Sequence, residues 1–213
     1  MKVLHQGGSI KVGHQQITVE GADEATVFYT VDTEYSPVYP LYKGEKPRQT
    51  TEKTIKSAIT KGYETVKHTH ISDYQTLYNR VKFTLSGDTA SEKLPTDIRV
   101  KQLQQGFTDD ASLKVLWFNL SRYLLISASR PGTLPSNLQG VWNTFEKAPW
   151  NGNFQSNINL QEMYWGCGPT QLPECEEAYL EWIEGLVDPG RKTAGEYYGT
   201  KGWVSHSTGN IWG

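Results

Sequence analysis

All seven tryptophans of this 213-residue chain lie in its second half, at positions 117, 142, 150, 165, 182, 203 and 212. Charge divides in the same way. The first 106 residues carry 14 basic and 12 acidic groups, whereas the last 107 carry 7 and 11. Two regions of different character are therefore expected, one charged and free of Trp, the other aromatic and mildly acidic. The formal net charge of −2 gives no reason to expect a nucleic acid or an anionic membrane surface as partner. Hydrophobic residues at 37% exclude a disordered chain, and two cysteines exclude a disulfide-dense scaffold. The longest apolar stretch, Leu113 to Ile126, is interrupted by Lys114 and Arg122, and a bilayer span needs ~20 mostly apolar residues. Met1 to Ile10 shows no apolar leader segment, so no signal peptide is visible.

Residues 1–35 read as short strands around Ile10 and Val12, Ile17 and Val19, and Thr26 to Val31, with turns at Gly7-Gly8, Gly13 and Gly21-Ala22-Asp23. Such strands, without a partner layer, are expected to be the end of a larger β domain cut at Met1. Residues 36–106 read as a connector. Ile55, Ile59 and Val66, then Tyr74, Leu77, Tyr78 and Val81, fit helical spacing, with Gly62 as a weak point. Val81 to Leu85 alternates and is a candidate strand, Ser86 to Thr96 is loop-like, and Pro95-Thr96-Asp97 marks a turn or helix start.

In residues 107–213, Asp109 or Asp110 is placed to cap a helix running to about Ser129. Its stripe of Leu113, Leu116, Trp117, Leu120 and Leu124, broadened by Phe118, Leu125 and Ile126, predicts burial on more than one side. A second helix is expected over Glu174 to Val187, stopped by Asp188-Pro189-Gly190, and a third over Arg191 to Tyr198. Helices separated by long aromatic loops suggest an α-toroid.

Residues 130–170 carry the chemistry. They hold only four charges, Arg130, Glu146, Lys147 and Glu162, against six Asn, three Gln and three Trp. Hydroxyl-rich ligands need donors and acceptors side by side, which carboxamides provide, and the apolar faces of sugar rings stack on aromatic rings. A polyanion site would show Lys and Arg instead. This composition favours a carbohydrate, with a general polar pocket or plain loop packing as the other readings. Asn137 and Asn143 also suit turns, and Trp182 suits a core. Asparagines two apart project to one side of an extended segment. Cys167 and Cys175 read as free buried thiols, no metal-ligand set is present, and His68 and His70 read as solvated.

Three segments together resemble a known family. Ser129-Arg-Pro-Gly-Thr-Leu-Pro-Ser-Asn-Leu-Gln-Gly-Val-Trp-Asn143 is similar to the SRPGTLPxNLQGxWN signature of glycoside hydrolase family 95. Asn157-Ile-Asn159 with Met163-Tyr-Trp165 is similar to its NIN…MNYW segment, and Gly202-Trp203-Val-Ser-His206 with Asn210-Ile-Trp212-Gly213 to its GWVxH…IWG segment. Lys61-Gly62-Tyr63, Asp73-Tyr74, Arg80-Val81 and Leu94-Pro-Thr-Asp97 resemble the family's linker.

The resemblance implies an α+β multidomain fragment: residues 1–35 as the C-terminal part of an N-terminal β-sandwich domain, 36–106 as a helical linker, and 107–213 as the first helices of an incomplete (α/α)6 catalytic barrel. It implies an inverting α-L-fucosidase, acting on α-1,2-linked fucose of a glycan, with no cofactor and an extracytoplasmic setting. Asn157 and Asn159 match the Asn pair that orients the attacking water. Gln155, Trp142, Asn143, Trp150, His206 and Trp212 are the expected substrate-binding residues. The general acid Glu and the Asp that polarises the water are expected beyond Gly213, because twelve helices of ~12 residues with short links need roughly 200 residues. The chain alone is therefore expected to be inactive. Gln155 stands where family members carry His or Thr, so an α-L-galactosidase of the same family is an alternative. A carbohydrate-binding module without catalytic carboxylates and a helical interaction domain are others. For Glu162 and Arg130 structural roles are expected, and for His206 either a pocket-lining or a loop-structuring one.

Overall fold

β-Branched residues set between glycines form four short strands: β1 (Lys2–Gln6), β2 (Ser9–Val12), β3 (Ile17–Glu20) and β4 (Glu24–Phe28). The computed structural model describes residues 1–87, 90–106 and 109–212. β2 and β3 form an antiparallel hairpin with Ile10 opposite Val19, and β1 pairs antiparallel with β4 with Val3 opposite Val27. Gly8 between them has φ +63°, and a β-carbon there would lie 2.2 Å from the Glu20 carbonyl oxygen, so only glycine fits. Val12, Val27, Tyr29 and Val31 remain exposed.

Helix α1 (Pro47–Lys61) starts on a proline, whose missing N–H is not needed in the first turn. It ends at Gly62, φ +77°, and α2 (Tyr63–Tyr78) begins at once, so the weak point read there is a break between two helices. His68 and His70 are exposed on α2. The chain forms two compact units, Met1–Asp73 and Tyr74–Gly213.

In the second unit, α3 (Thr96–Gln104) follows Pro95 and α4 (Ala111–Ala128) follows Asp110. The Asp110 carboxylate accepts the Leu113 N–H at 2.8 Å, as the cap reading required. It also accepts a two-point grip from Arg99, at 2.8 and 2.9 Å, with both side chains buried. That grip holds the carboxyl well below the usual carboxylate range.

The expected burial of α4 needs correction. Leu113, Arg122, Ile126 and Ala128 are buried, whereas Leu116, Trp117, Leu120 and Leu124 are exposed, Trp117 by 67%. Two apolar faces compete on this helix, and the face bearing Arg122 docks. Its guanidinium donates to the carbonyls of Tyr78 (2.7 Å) and Leu77 (3.1 Å) at the end of α2, and to that of Thr170 (3.3 Å). The last carbonyls of a helix lack intrahelical partners, and Arg122 supplies them.

Beyond α4 come β5 (Phe154–Gln155), α5 (Asn159–Tyr164), α6 (Pro173–Gly185), α7 (Val187–Tyr198) and β6 (Thr208–Gly209). Asp188-Pro189-Gly190 does not stop a helix. It lies in the first turn of α7, where Pro leaves no intrahelical bond unmade. Val81 to Leu85 forms no strand; Phe83 instead packs its ring 4.8 Å from that of Phe118 on α4. Leu77, Ile126, Phe154, Leu160, Tyr164, Leu172 and Trp182 share one core, with the Phe154 and Trp182 rings 5.0 Å apart. Trp182 is thus a packing residue. The architecture is α+β, helices with three two-stranded sheets among the described residues. No described helix is long and apolar enough to cross a membrane. Asp88 and Thr89 of the expected loop, and Gly213 of the last motif, lie outside the described residues.

Candidate functional site

Two of the three motif segments meet through β5 and β6. Phe154 pairs with Gly209 and Gln155 with Thr208, across more than 50 positions of sequence. Gly209 is required at this crossing, because a β-carbon there would lie 2.9 Å from Cζ2 of Trp182. Ser156 extends the junction. Its N–H donates to the Ser207 carbonyl at 2.8 Å, and its hydroxyl to the His206 carbonyl at 3.2 Å. Gln161 Nε2 on α5 donates back to the Ser156 carbonyl at 2.6 Å. The chain is held on both sides just before Asn157.

Asn157 occupies a turn and Asn159 is the first residue of α5, with both side chains exposed. Ile158 between them has φ −165° and ψ −39°. The segment is therefore not a strand, and the alternation argument for placing the two carboxamides on one side does not apply. Both carboxamides nevertheless face solvent. Glu162, one turn further along α5, is also exposed.

Gln155 is half-buried and its Oε1 lies 3.5 Å from the Thr208 hydroxyl. His206 is exposed, with its Nε2 2.9 Å from the Tyr198 hydroxyl. A small cavity of about 100 Å³ beside it is lined by Thr193, Ser205, His206 and Thr208, among others. Trp142, Asn143 and Trp150 lie on the loops before β5, and no hydrogen bond or ring contact ties them to the Asn157–Asn159 turn among the described residues. Asn143 accepts from the Phe145 N–H and donates to its carbonyl, and Asn137 accepts from the Gln139 N–H, so both make turns. Trp150, Asn151 and Gly152 have φ of +54°, +56° and +63° in succession. A left-handed conformation costs a non-glycine residue ~1–2 kcal/mol. This run presents the Trp150 indole 73% exposed. Trp212 is half-exposed, with its backbone N–H donating to Asn210 Oδ1 at 2.7 Å.

The first motif connects differently. Gly132 N–H donates to Glu181 of α6 at 3.0 Å, and Thr133 closes a turn onto the Arg130 carbonyl. Arg130 is half-buried, and its charge adds a little to the lowering of the Glu174 carboxyl that the Arg80 hydrogen bonds chiefly cause. Ser129 and Ser136, at either end of the segment, are buried and bonded to Tyr164 of the second motif. Tyr164 and Tyr198 are residues that sequence reasoning passed over. The available signal for Tyr164 was its place inside Met163-Tyr-Trp165; for Tyr198 there was none.

Cys167 and Cys175 are free and buried, and burial pushes their thiols up to about 12 and about 11. Neither is poised as a nucleophile. No cluster of His, Cys, Asp and Glu among the described residues would hold a metal.

The catalytic domain of glycosyl hydrolase family 95 matches residues 62–213, and the chain belongs to that family. It is similar to alpha-L-fucosidase 2 of Arabidopsis thaliana, with 37% identity over 98% of this chain. Probable alpha-fucosidases A of Aspergillus niger and Aspergillus oryzae are 35% and 36% identical over 91% and 86% of it. The chain spans 25% of the length of each of these relatives.

Proposed function

We propose that this chain carries the water-orienting half of an inverting α-L-fucosidase site, acting on terminal α-1,2-linked fucose. The observation that carries the reading is the exposed Asn157–Asn159 turn, braced by Ser156 against the His206–Ser207 backbone and by Gln161 of α5. The names of the plant and fungal relatives support fucose as the sugar.

A carboxamide oxygen is too weakly basic to take a proton from water. It accepts one hydrogen bond from that water and so fixes the direction of the attacking lone pair. A carboxylate must receive the proton, and a separate acid must protonate the leaving oxygen. In an inverting enzyme the two carboxyl groups stand ~6.5–9.5 Å apart to admit the water. The reading assigns the two Asn to this chain and both carboxyl groups to residues that it does not contain. Trp142, Trp150 and Trp212 supply faces for the apolar side of the sugar, and Gln155, Asn143 and His206 supply groups for its hydroxyls. In the same reading residues 1–35 end a β domain, 36–106 link it onward, 107–213 begin an (α/α)6 barrel, and the setting is extracytoplasmic.

The test is a titration of the 213-residue chain with L-fucose, alongside an assay on a fucosyl-α-1,2-galactoside. Binding without turnover is expected, as is a loss of roughly tenfold or more in affinity for Asn157→Ala/Asn159→Ala at unchanged melting temperature, a tenfold change being ~1.4 kcal/mol. Turnover by this chain alone, or unchanged binding in the double variant, would reject the reading.

A further inference from the structure

Ser129, Ser136 and Tyr164 belong to the two motifs on which the site reading rests, yet their exposures are 0, 6 and 3%. They form one hydrogen-bond chain whose direction can be worked out. The Ser129 hydroxyl lies 2.8 Å from the Cys175 carbonyl, which only accepts, so its single proton goes there. Tyr164, 2.8 Å away, must then donate to Ser129 Oγ. The Ser136 N–H donates to the Tyr164 oxygen at 2.9 Å. The order is Ser136 N–H to Tyr164 OH to Ser129 OH to Cys175 C=O, and the Ser136 side chain bonds to Tyr164 as well. The Tyr164 ring also stacks on Tyr179 of α6, with centroids 5.1 Å apart and planes inclined by 14°.

Tyr164 is the last residue of α5 and Asn159 the first. Five steps of helix separate their Cα atoms by roughly 8 Å along the axis. A helix this short holds no orientation by itself. Its start is braced by Gln161 on Ser156, and its end by the Tyr164 hydroxyl and ring.

We propose that Tyr164 is the positioning residue of the site: its buried hydroxyl, fastened to both ends of the Ser129–Ser136 segment, sets the orientation of α5 and hence of the Asn157 and Asn159 carboxamides. The inference rests on the site reading given above. It also assigns the first motif's two serines the role of a fixed anchor for the second motif.

The test uses the ¹⁵N-labelled 213-residue chain and three variants, Tyr164→Phe, Ser129→Ala and the two combined. Melting temperature, the side-chain amide signals of Asn157 and Asn159, and L-fucose affinity are measured. Tyr164→Phe is expected to shift or broaden those two amide signals while the Asn119 amide and Trp182 indole signals stay in place. It is expected to weaken L-fucose by about five- to tenfold, the scale of one lost hydrogen bond in position. Each variant orphans a buried backbone group, the Ser136 N–H in Tyr164→Phe and the Cys175 carbonyl in Ser129→Ala. The combined variant is therefore expected to melt lowest while its L-fucose affinity stays at the Tyr164→Phe value, because the positioning hydroxyl is already gone; a purely structural role would lower both together. If Tyr164→Phe does not fold, Ser129→Ala decides on the same readouts. Unmoved Asn157 and Asn159 signals with wild-type affinity, or affinity that follows melting temperature through all three variants, would overturn the inference. Retained L-fucose affinity in Asn157→Ala/Asn159→Ala would instead reject the site reading, leaving the amide signals to decide the role of Tyr164.

Discussion

Arg122→Met is the sharpest test of how the second unit is assembled. Arg122 is 2% exposed, and its guanidinium donates to four carbonyls, those of Tyr78, Leu77, Thr170 and Val81, at 2.7, 3.1, 3.3 and 3.5 Å. It also lies 5.4 Å from the Tyr78 ring centroid. Methionine fills the stem volume and removes every donor. A hydrogen bond from a charged donor contributes about 1.5 kcal/mol or more, so the three shorter ones amount to roughly 4–5 kcal/mol. The variant also removes a buried cation, and the desolvation it no longer suffers offsets part of this. A net loss of ~3 kcal/mol is expected, a large share of the ~5–15 kcal/mol that holds a domain folded. With a slope of ~2 kcal/mol per molar urea, the midpoint falls by ~1.5 M at unchanged slope. Urea unfolding followed by tryptophan fluorescence and by circular dichroism measures this. Arg122→Lys keeps the charge but lacks the planar fork, and loses about half as much. A Met variant within ~0.5 kcal/mol of the parent would refute the reasoning. Water would then be satisfying those carbonyls, and the choice of docking face on α4 would need another cause.

Arg80 grips Glu174 at 2.8 and 2.7 Å and holds its carboxyl down to about 2. The folded value lies below the unfolded one, so the stabilisation is complete above the ordinary Glu range and is lost as pH falls towards 2. Melting temperature should drop over that window, less steeply in Glu174→Gln and in high salt, since the pair is about one-third exposed. Cys167 and Cys175 should resist iodoacetamide at about pH 8 in the folded chain and react after denaturation, as mass spectrometry will count. Gly209→Ala should cost ~1–3 kcal/mol, because the added methyl meets the Trp182 ring; thermal unfolding measures it. Leu120→Glu, on the exposed face of α4, should leave the stability of this chain within ~0.5 kcal/mol in the same assay.

Local signals in the sequence located the elements well where one residue's chemistry decided the outcome. Asp110 caps α4 because a carboxylate there meets the Leu113 N–H. Gly62 separates α1 from α2 because it takes a positive φ without strain. The β2–β3 hairpin follows from alternation between glycines. Where two outcomes had similar local energies, the sequence was silent. Both faces of α4 are apolar, and the choice depends on where Arg122 finds carbonyls 41 or more positions away. Val81 to Leu85 alternates like a strand, but Phe83 packs on a helix instead. Pro189 reads as a terminator, and a proline in the first turn of the next helix has the same signature.

The candidate site divides along the same line. Side-chain type was enough to single out the charge-poor stretch, since carboxamides and indoles suit hydroxyl-bearing rings wherever they lie. Orientation was not legible, because it is set by pairings that sequence does not display. Phe154–Gln155 finds Thr208–Gly209 across more than 50 residues, and Ser129 finds Tyr164 across 35. A motif read as a string assigns chemistry to all of its members. In the folded chain the members separate by exposure: Asn157 and Asn159 face solvent, whereas Ser129, Ser136 and Tyr164 are buried in one hydrogen-bond chain. In the buried set the Ser136 N–H, the Tyr164 hydroxyl and the Ser129 hydroxyl each have an acceptor in place. That is the property an anchor needs if a six-residue helix is to hold two exposed carboxamides in a fixed direction.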